Sequence, residues 1–151
     1  MRKEYLVNQY RALEVMQKLE KTKYEFRSFV NRFKKHLYKM AEEIFDDLDA
    51  WQEYAKEMAI DYCAKDENGK PIYIDVIDSK GEKTGAKTAE TPLLGMNEEW
   101  DSALKEHVGK KKALLLEDVE VDKFDDTLNK KFLPDNFPGD LQEYIQDYID
   151  G

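Results

Sequence analysis

The sequence predicts a mainly α protein of the α+β type. Its first part should be an antiparallel helical hairpin with one long helix. A small portion made of a β-hairpin and a helix should follow and pack on that hairpin. Ten apolar residues follow one another at steps of three or four between positions 26 and 58, which is the period of one helix face. All 7 glycines and 4 prolines lie at or after position 69. Since both residue types break helices, the long helix should end near position 68. The run Ile72–Asp78 is rich in β-branched residues and predicts a strand.

The long helix follows from the spacing of its apolar face. The ten residues, which we call the apolar stripe, are Phe26, Val30, Phe33, Leu37, Met40, Ile44, Leu48, Trp51, Ala55 and Met58. Their mean step of about 3.56 residues lies between the coiled-coil and free-helix values. At a rise of about 1.5 Å per residue the stripe would extend about 48 Å, and something must cover it.

A shorter helix precedes it. The spacing of Leu6, Tyr10, Leu13 and Met16 predicts a helix over residues 3–20. The segment Glu20–Lys23 is then the connection, with the Thr22 hydroxyl capping the next helix. The two helices would form an antiparallel hairpin. A single continuous helix over residues 3–63 is the alternative.

The apolar stripe is wider than one short helix can cover. Further apolar residues flank it, namely Phe29, Ala41, Phe45, Ala59 and Tyr62. We therefore expect the C-terminal half of the chain to fold back onto the long helix, with a homodimer as the alternative. In this interpretation residues 1–68 are the helical hairpin and residues 69–151 are a small acidic α+β portion, together forming one cooperative domain.

The downstream elements are predicted from turn and cap signals. We predict a turn at Asp66–Gly69, a polar loop at Ser79–Gly85, a helix from Asn97 to about residue 108 ended by Gly109, a strand at Ala113–Val121 and a terminal helix opened by Pro138.

Two loops approach known ligand-binding patterns without matching them. The segment Gly81–Thr88 resembles a phosphate-binding loop, but Ala86 replaces its second glycine and Pro92 would interrupt the helix that must follow. The turn at Asp66–Gly69 echoes a calcium loop, but Ala64 stands where the first carboxylate is required. We therefore predict no cofactor and no metal.

Catalytic residue types are scarce. The chain has a single cysteine, Cys63, and two histidines, His36 and His107, which lie far apart in the sequence. A nucleophile needs a neighbouring base, and zinc needs several nitrogen or thiolate ligands. The sequence thus predicts a protein without enzymatic activity.

Charge is distributed unevenly. Residues 1–40 hold 11 Lys or Arg against 4 Asp or Glu, whereas residues 41–151 hold 13 against 29, and the net charge is −9. The two parts could attract each other within one fold, join copies head to tail, or face different partners.

Nucleic-acid binding is disfavoured by the net negative charge of the whole chain, although Arg27–Lys39 interleaves basic and aromatic residues. The acidic part could instead imitate a phosphate backbone.

Three segments resemble a known protein family. They are Lys23–Phe33, the join from Trp51–Lys56 to Ala64–Ile72, and Leu133–Tyr144. Their order resembles a family of small uncharacterised proteins of tailed phages and prophages of Gram-positive bacteria. Members carry a small basic loop with glycine between the first two helices, which this chain lacks. The resemblance implies a viral setting and no catalytic residues.

These observations predict a phage accessory protein that acts by protein–protein binding, as a virion, assembly or scaffold component. A host-directed inhibitor that blocks a nucleic-acid-binding enzyme through an acidic surface is the alternative. The partner would be a second copy or another phage or host protein. The predicted partner-binding residues are Phe29, Phe45, Trp51, Tyr54 and Tyr62. No apolar run approaches the length of a membrane span. Together with the viral setting that the resemblance implies, this leads us to expect the host cytoplasm or the virion.

Overall fold

The computed structural model describes residues 1–151 and confirms the predicted α+β class, with helices dominating. Its main elements are α1 (Lys3–Gln17), α2 (Tyr24–Tyr62), β1 (Tyr73–Ile77), β2 (Lys83–Ala89) and α3 (Glu98–Leu116). Short elements follow, namely β3 (Leu128–Asn129), α4 (Gly139–Gln142) and β4 (Ile149–Asp150), with 3₁₀ turns at Lys130–Phe132 and Gln146–Tyr148.

The long helix is present as predicted. All ten residues of the apolar stripe lie in α2, and seven of them are buried, whereas Met40, Trp51 and Ala55 are half-buried. Residues 18–23 separate α1 from α2, so the alternative of one helix over residues 3–63 is wrong.

Helices α1 and α2 run antiparallel. Gln17 at the end of α1 hydrogen-bonds Asn31 near the start of α2, while Tyr10 packs edge-on against the later Phe45. The connection departs from the prediction in one detail, because the Thr22 hydroxyl accepts a hydrogen bond from Arg27 Nε at 2.6 Å and not from a backbone amide. Lys21 takes the left-handed conformation (φ 57°) that glycine adopts without strain.

The chain contains two compact units. The first consists of residues 1–47 and 114–151, and the second of residues 48–113. Neither boundary coincides with the predicted division at residue 68, since α2 contributes residues to both units. The position of the first glycine and proline in the sequence indicates where α2 ends, but it does not indicate which segments pack together.

The C-terminal segment folds back in the first unit, as expected. Phe26, Phe29 and Phe33 are almost completely buried. The ring of Phe33 lies 4.5 Å from that of Phe124 and 4.6 Å from that of Tyr148. Full burial of one such side chain stabilises a fold by about 1.5–3 kcal/mol. The segment after residue 113 therefore covers this part of the apolar stripe.

The predicted terminal helix is wrong beyond its first turn. Only Gly139–Gln142 is α-helical, and Ile149 pairs in parallel with Leu128 in a two-residue ladder. The buried side chain of Ile145 and the packing of Tyr148 on the core override the helical spacing of this segment, because tertiary contacts outweigh weak local propensity.

The second unit contains a β-hairpin. Strands β1 and β2 pair antiparallel, with Tyr73 opposite Ala89 and Asp75 opposite Lys87. The predicted polar loop at Ser79–Gly85 is wrong in its second half, since the turn closes between Asp78 and Glu82 and β2 begins at Lys83. Residues of the phosphate-loop-like segment thus form a strand, because the hairpin ladder satisfies their backbone groups.

Helix α3 begins as predicted and ends later. The Asn97 side chain accepts a hydrogen bond from the Trp100 amide at 3.0 Å, which is an N-cap. The predicted stop at Gly109 is wrong, and so is the strand at Ala113–Val121, because α3 continues to Leu116. One internal glycine costs a helix only about 1 kcal/mol, and the Lys, Ala and Leu residues after it are good helix formers. No helix combines the length and apolarity needed to cross a membrane.

Candidate protein-binding surface

Phe29 and Phe45 are held inside the first unit. Phe29 is fully buried against Phe33 and Phe124, so the prediction that it contacts a partner is wrong. The C-terminal segment covers the side of the stripe that we expected to be free. Phe45 is half-buried under α1, where the Tyr10 ring and the Arg11 guanidinium lie 5.6 and 5.5 Å from its ring centre.

Trp51 packs against α3 in the second unit. Its indole stacks on the His107 ring at 4.2 Å with 4° between the planes. Trp51 Nε1 donates to the His107 carbonyl at 2.6 Å, and His107 Nε2 lies 2.9 Å from the Trp51 carbonyl. Since a carbonyl only accepts, Nε2 is the protonated nitrogen. His107 Nδ1 is buried without a hydrogen-bond partner.

Tyr54 is the most exposed of the predicted residues. It is 54% exposed, with its ring 5.3 Å from that of His107 and beneath the Lys110 ammonium. Tyr62 is half-buried, with its ring 5.6 Å from that of Trp100. Of the five predicted residues, Tyr54 therefore offers the largest exposed fraction to a partner.

The most exposed apolar side chains other than aromatic ones lie on a segment that the sequence analysis did not single out. This segment, Pro92–Met96, connects β2 to α3, and we call it the apolar turn. Leu93, Leu94 and Met96 are 76%, 89% and 76% exposed. Scattered exposed leucines are ordinary, but contiguous ones on a folded surface mark interaction sites.

The apolar turn has a defined backbone. The Met96 amide donates to the Leu93 carbonyl at 3.0 Å, and Gly95 has φ 83°, as a type II turn requires at its third position. The Gly95 amide also donates to the Asp101 carboxylate at 3.0 Å. Hydrogen bonds thus hold the backbone while the side chains point into water, and binding would require little further ordering.

A groove lies between α2 and the hairpin, within the second unit. Its volume is about 330 Å³, and its lining includes Lys56 and Ile60 from α2 together with Tyr73, Lys87 and Ala89 from the hairpin. Neither lysine lies within 4 Å of a carboxylate. We call this feature the basic groove, since its lining combines apolar side chains with two unpaired ammonium groups.

A row of carboxylates marks the solvent face of α2 in the second unit. Asp49, Glu53, Glu57 and Asp61 are all exposed and follow one another at steps of four residues, and none forms an ion pair. We call this the acidic row. Like charges at this spacing cost a helix about 0.2–0.5 kcal/mol per pair, so a basic partner would relieve a real repulsion.

The side chains of His36 and Cys63, residue types that can act in catalysis, are engaged in contacts within the fold. His36 Nε2 donates to the Asp122 carbonyl at 2.6 Å, and its ring packs on Phe124. Buried Cys63 points its thiol at the Ile60 carbonyl, 3.2 Å away. Cys63 forms no hydrogen bond with either histidine. No three His, Cys, Asp or Glu side chains are grouped to hold a metal ion.

Comparison with known protein families, curated proteins and solved structures found no match. The apolar turn could have been noticed in the sequence, because Leu93 and Leu94 stand between a proline and a glycine, outside any helical or strand period.

Proposed function

We propose that this chain is a non-catalytic phage accessory protein that acts by binding another protein, in a virion or assembly role or as a multimeric scaffold. The apolar turn is the observation that carries the binding proposal. The resemblance of the three sequence segments supports the phage setting.

The energetics of the apolar turn favour an intermolecular role. Burying a leucine or methionine contributes about 1.5–3 kcal/mol, so Leu93, Leu94 and Met96 together offer several kcal/mol that the isolated chain does not use. Because few residues at an interface usually supply most of its affinity, three side chains on a held turn can act as a hot spot. Tyr54 adds an exposed aromatic ring in the same unit.

Site-specific photo-cross-linking tests this proposal. Leu94 is replaced by p-benzoylphenylalanine in one variant, and Lys80, exposed in the turn of the hairpin, is replaced in the control. Each variant is irradiated as purified protein and in expressing Gram-positive cells. We expect an adduct of discrete mass from position 94 and none from position 80. The absence of any discrete adduct at position 94 in both settings would contradict the proposal.

The acidic row favours a second candidate function, a host-directed inhibitor that blocks a nucleic-acid-binding enzyme. Its carboxylates repeat about every 6 Å along the helix axis, the rise of four residues. The double variant Glu53→Gln/Glu57→Gln removes two of these charges and also relieves helix repulsion. An inhibitor should capture a nucleic-acid enzyme from host lysate at low salt, release it at high salt, and lose capture in this variant. Capture that survives the double variant would argue against this candidate.

A further inference from the structure

We propose that the apolar turn of one molecule docks into the basic groove of a second copy of the same chain. This inference rests on the proposed function, because it identifies the partner of the apolar turn. Both surfaces belong to the second unit, so every copy presents both of them.

The two surfaces match in apolar character and size. The apolar lining of the basic groove consists of Ala59, Ile60, Tyr73 and Ala89, and both Ile60 and Tyr73 are exposed in the single chain. Its volume of about 330 Å³ lies at the lower end of the range, roughly 300–1,000 Å³, that holds small organic ligands. A groove of this size accepts one or two side chains of a tight turn, and it is too small for a helix or a domain.

The charged residues that line the groove are opposite in sign to those that flank the turn. Glu90 precedes the apolar turn, and Glu98 and Glu99 follow it. All three are exposed, and none lies within 4 Å of a basic group. Lys56 and Lys87 at the groove are unpaired as well. Docking would place the acidic residues that flank the turn against the two lysines of the groove. This charge complementarity would set the orientation of the docked turn.

The geometry of this contact has a consequence for assembly. The turn and the groove are different surfaces, so a turn-to-groove contact is heterologous, and every bound copy leaves one turn and one groove free. Such contacts produce rings when the rotation closes and open filaments when it does not. A contact of one turn buries little area, so association should be weak and strongly dependent on concentration.

Sedimentation velocity over a range of protein concentrations tests the inference. The wild-type chain should form species larger than a monomer as concentration rises, and salt should weaken them. Leu94→Ser removes the most exposed apolar side chain of the turn. Lys56→Glu/Lys87→Glu reverses the charge of the two lysines that line the groove. Each should lower the association constant at least about tenfold. Val108→Ala, an exposed apolar position on α3, is the matched control and should leave association unchanged.

Mixing the two defective variants provides the decisive measurement. The Leu94→Ser chain keeps an intact groove, and the Lys56→Glu/Lys87→Glu chain keeps an intact turn. An equimolar mixture should therefore form a discrete heterodimer, although each variant alone remains monomeric. Far-UV circular dichroism establishes that each variant is folded before mixing.

Three results would overturn the inference. The first is a wild-type chain that stays monomeric at high concentration. The second is association that survives the groove variant, and the third is a mixture of the two variants that stays monomeric. If position 94 still cross-links to a different protein, the binding function stands and only the identity of the partner is wrong. If position 94 forms no adduct at all, the proposed function fails as well.

Discussion

The stacked pair of Trp51 and His107 allows a sharp test of how the second unit is held together. The two rings lie 4.2 Å apart and nearly parallel, and a hydrogen bond runs in each direction between the residues. Each bond joins one side chain to the backbone carbonyl of the other residue. Each bond can therefore survive when the residue that supplies its carbonyl is truncated to alanine.

This arrangement sets the expected magnitudes. Trp51→Ala removes a half-buried indole, one hydrogen bond and the ring contact, and it should cost about 2–4 kcal/mol of unfolding free energy. His107→Ala should cost about 1–3 kcal/mol, because removing the unpartnered Nδ1 offsets part of the loss. The coupling in the double variant then isolates the ring stack, which is worth about 0.5–1.5 kcal/mol.

Urea denaturation followed by far-UV circular dichroism measures all four states of this cycle. Trp51→Ala combined with Ile77→Ala is the control cycle, since Ile77 is exposed on the hairpin and should be additive. A coupling within about 0.3 kcal/mol of zero for Trp51 and His107 would refute the reasoning. Trp51 would then be free to serve a partner, as the sequence predicted.

Three further outcomes are expected from the first unit. Phe33→Ala should cost about 3–5 kcal/mol in urea denaturation, whereas Tyr24→Ala on the same helix, 79% exposed, should cost under about 1 kcal/mol; similar losses for both would contradict the fold-back. Lys21→Gly should raise the urea midpoint by relieving a left-handed backbone, a net gain of about 0.5 kcal/mol, and Lys21→Ala should not. Burial, with Asp147 adding to it, raises the pKa of Tyr148 above 10.0. The neutral phenol is therefore favoured in the folded state, so its stabilisation is complete below about pH 10 and is lost as pH rises through the folded pKa. Tyr148→Phe should flatten the loss of stability in that alkaline range, and an unchanged profile would refute this assignment.

The predictions that succeeded depend on local periodicity and caps. The apolar stripe between Phe26 and Met58 correctly predicted α2, because side chains on one helix face repeat with the helical period whatever later covers them. The Asn97 cap correctly placed the start of α3, since a cap is a local hydrogen bond. Local signals failed where tertiary packing competes with them, as for Ile145 and Tyr148, whose helical spacing was overridden by burial in the core.

The five residues predicted to bind a partner differ widely in exposure. Tyr54 is exposed, so its predicted role in binding stays a prediction, whereas Phe29 is fully buried. The apolar turn was missed because its importance depends on exposure, which no periodic pattern reports. The basic groove is equally invisible in the sequence, since Lys56 and Lys87 belong to different elements that only the fold brings together.

The sequence by itself determined one long amphipathic helix, its partner in a hairpin and the chemistry of an acidic chain poor in catalytic residue types. Tertiary structure alone decided which segments cover the apolar stripe and which apolar side chains remain in water. The physical reason is that backbone hydrogen bonding within a helix is local, whereas hydrophobic burial is non-directional and is satisfied by any apolar surface that the fold brings near. Leu94 has the same chemistry as the buried Leu37, and packing alone decides which of the two lies in the core and which is exposed.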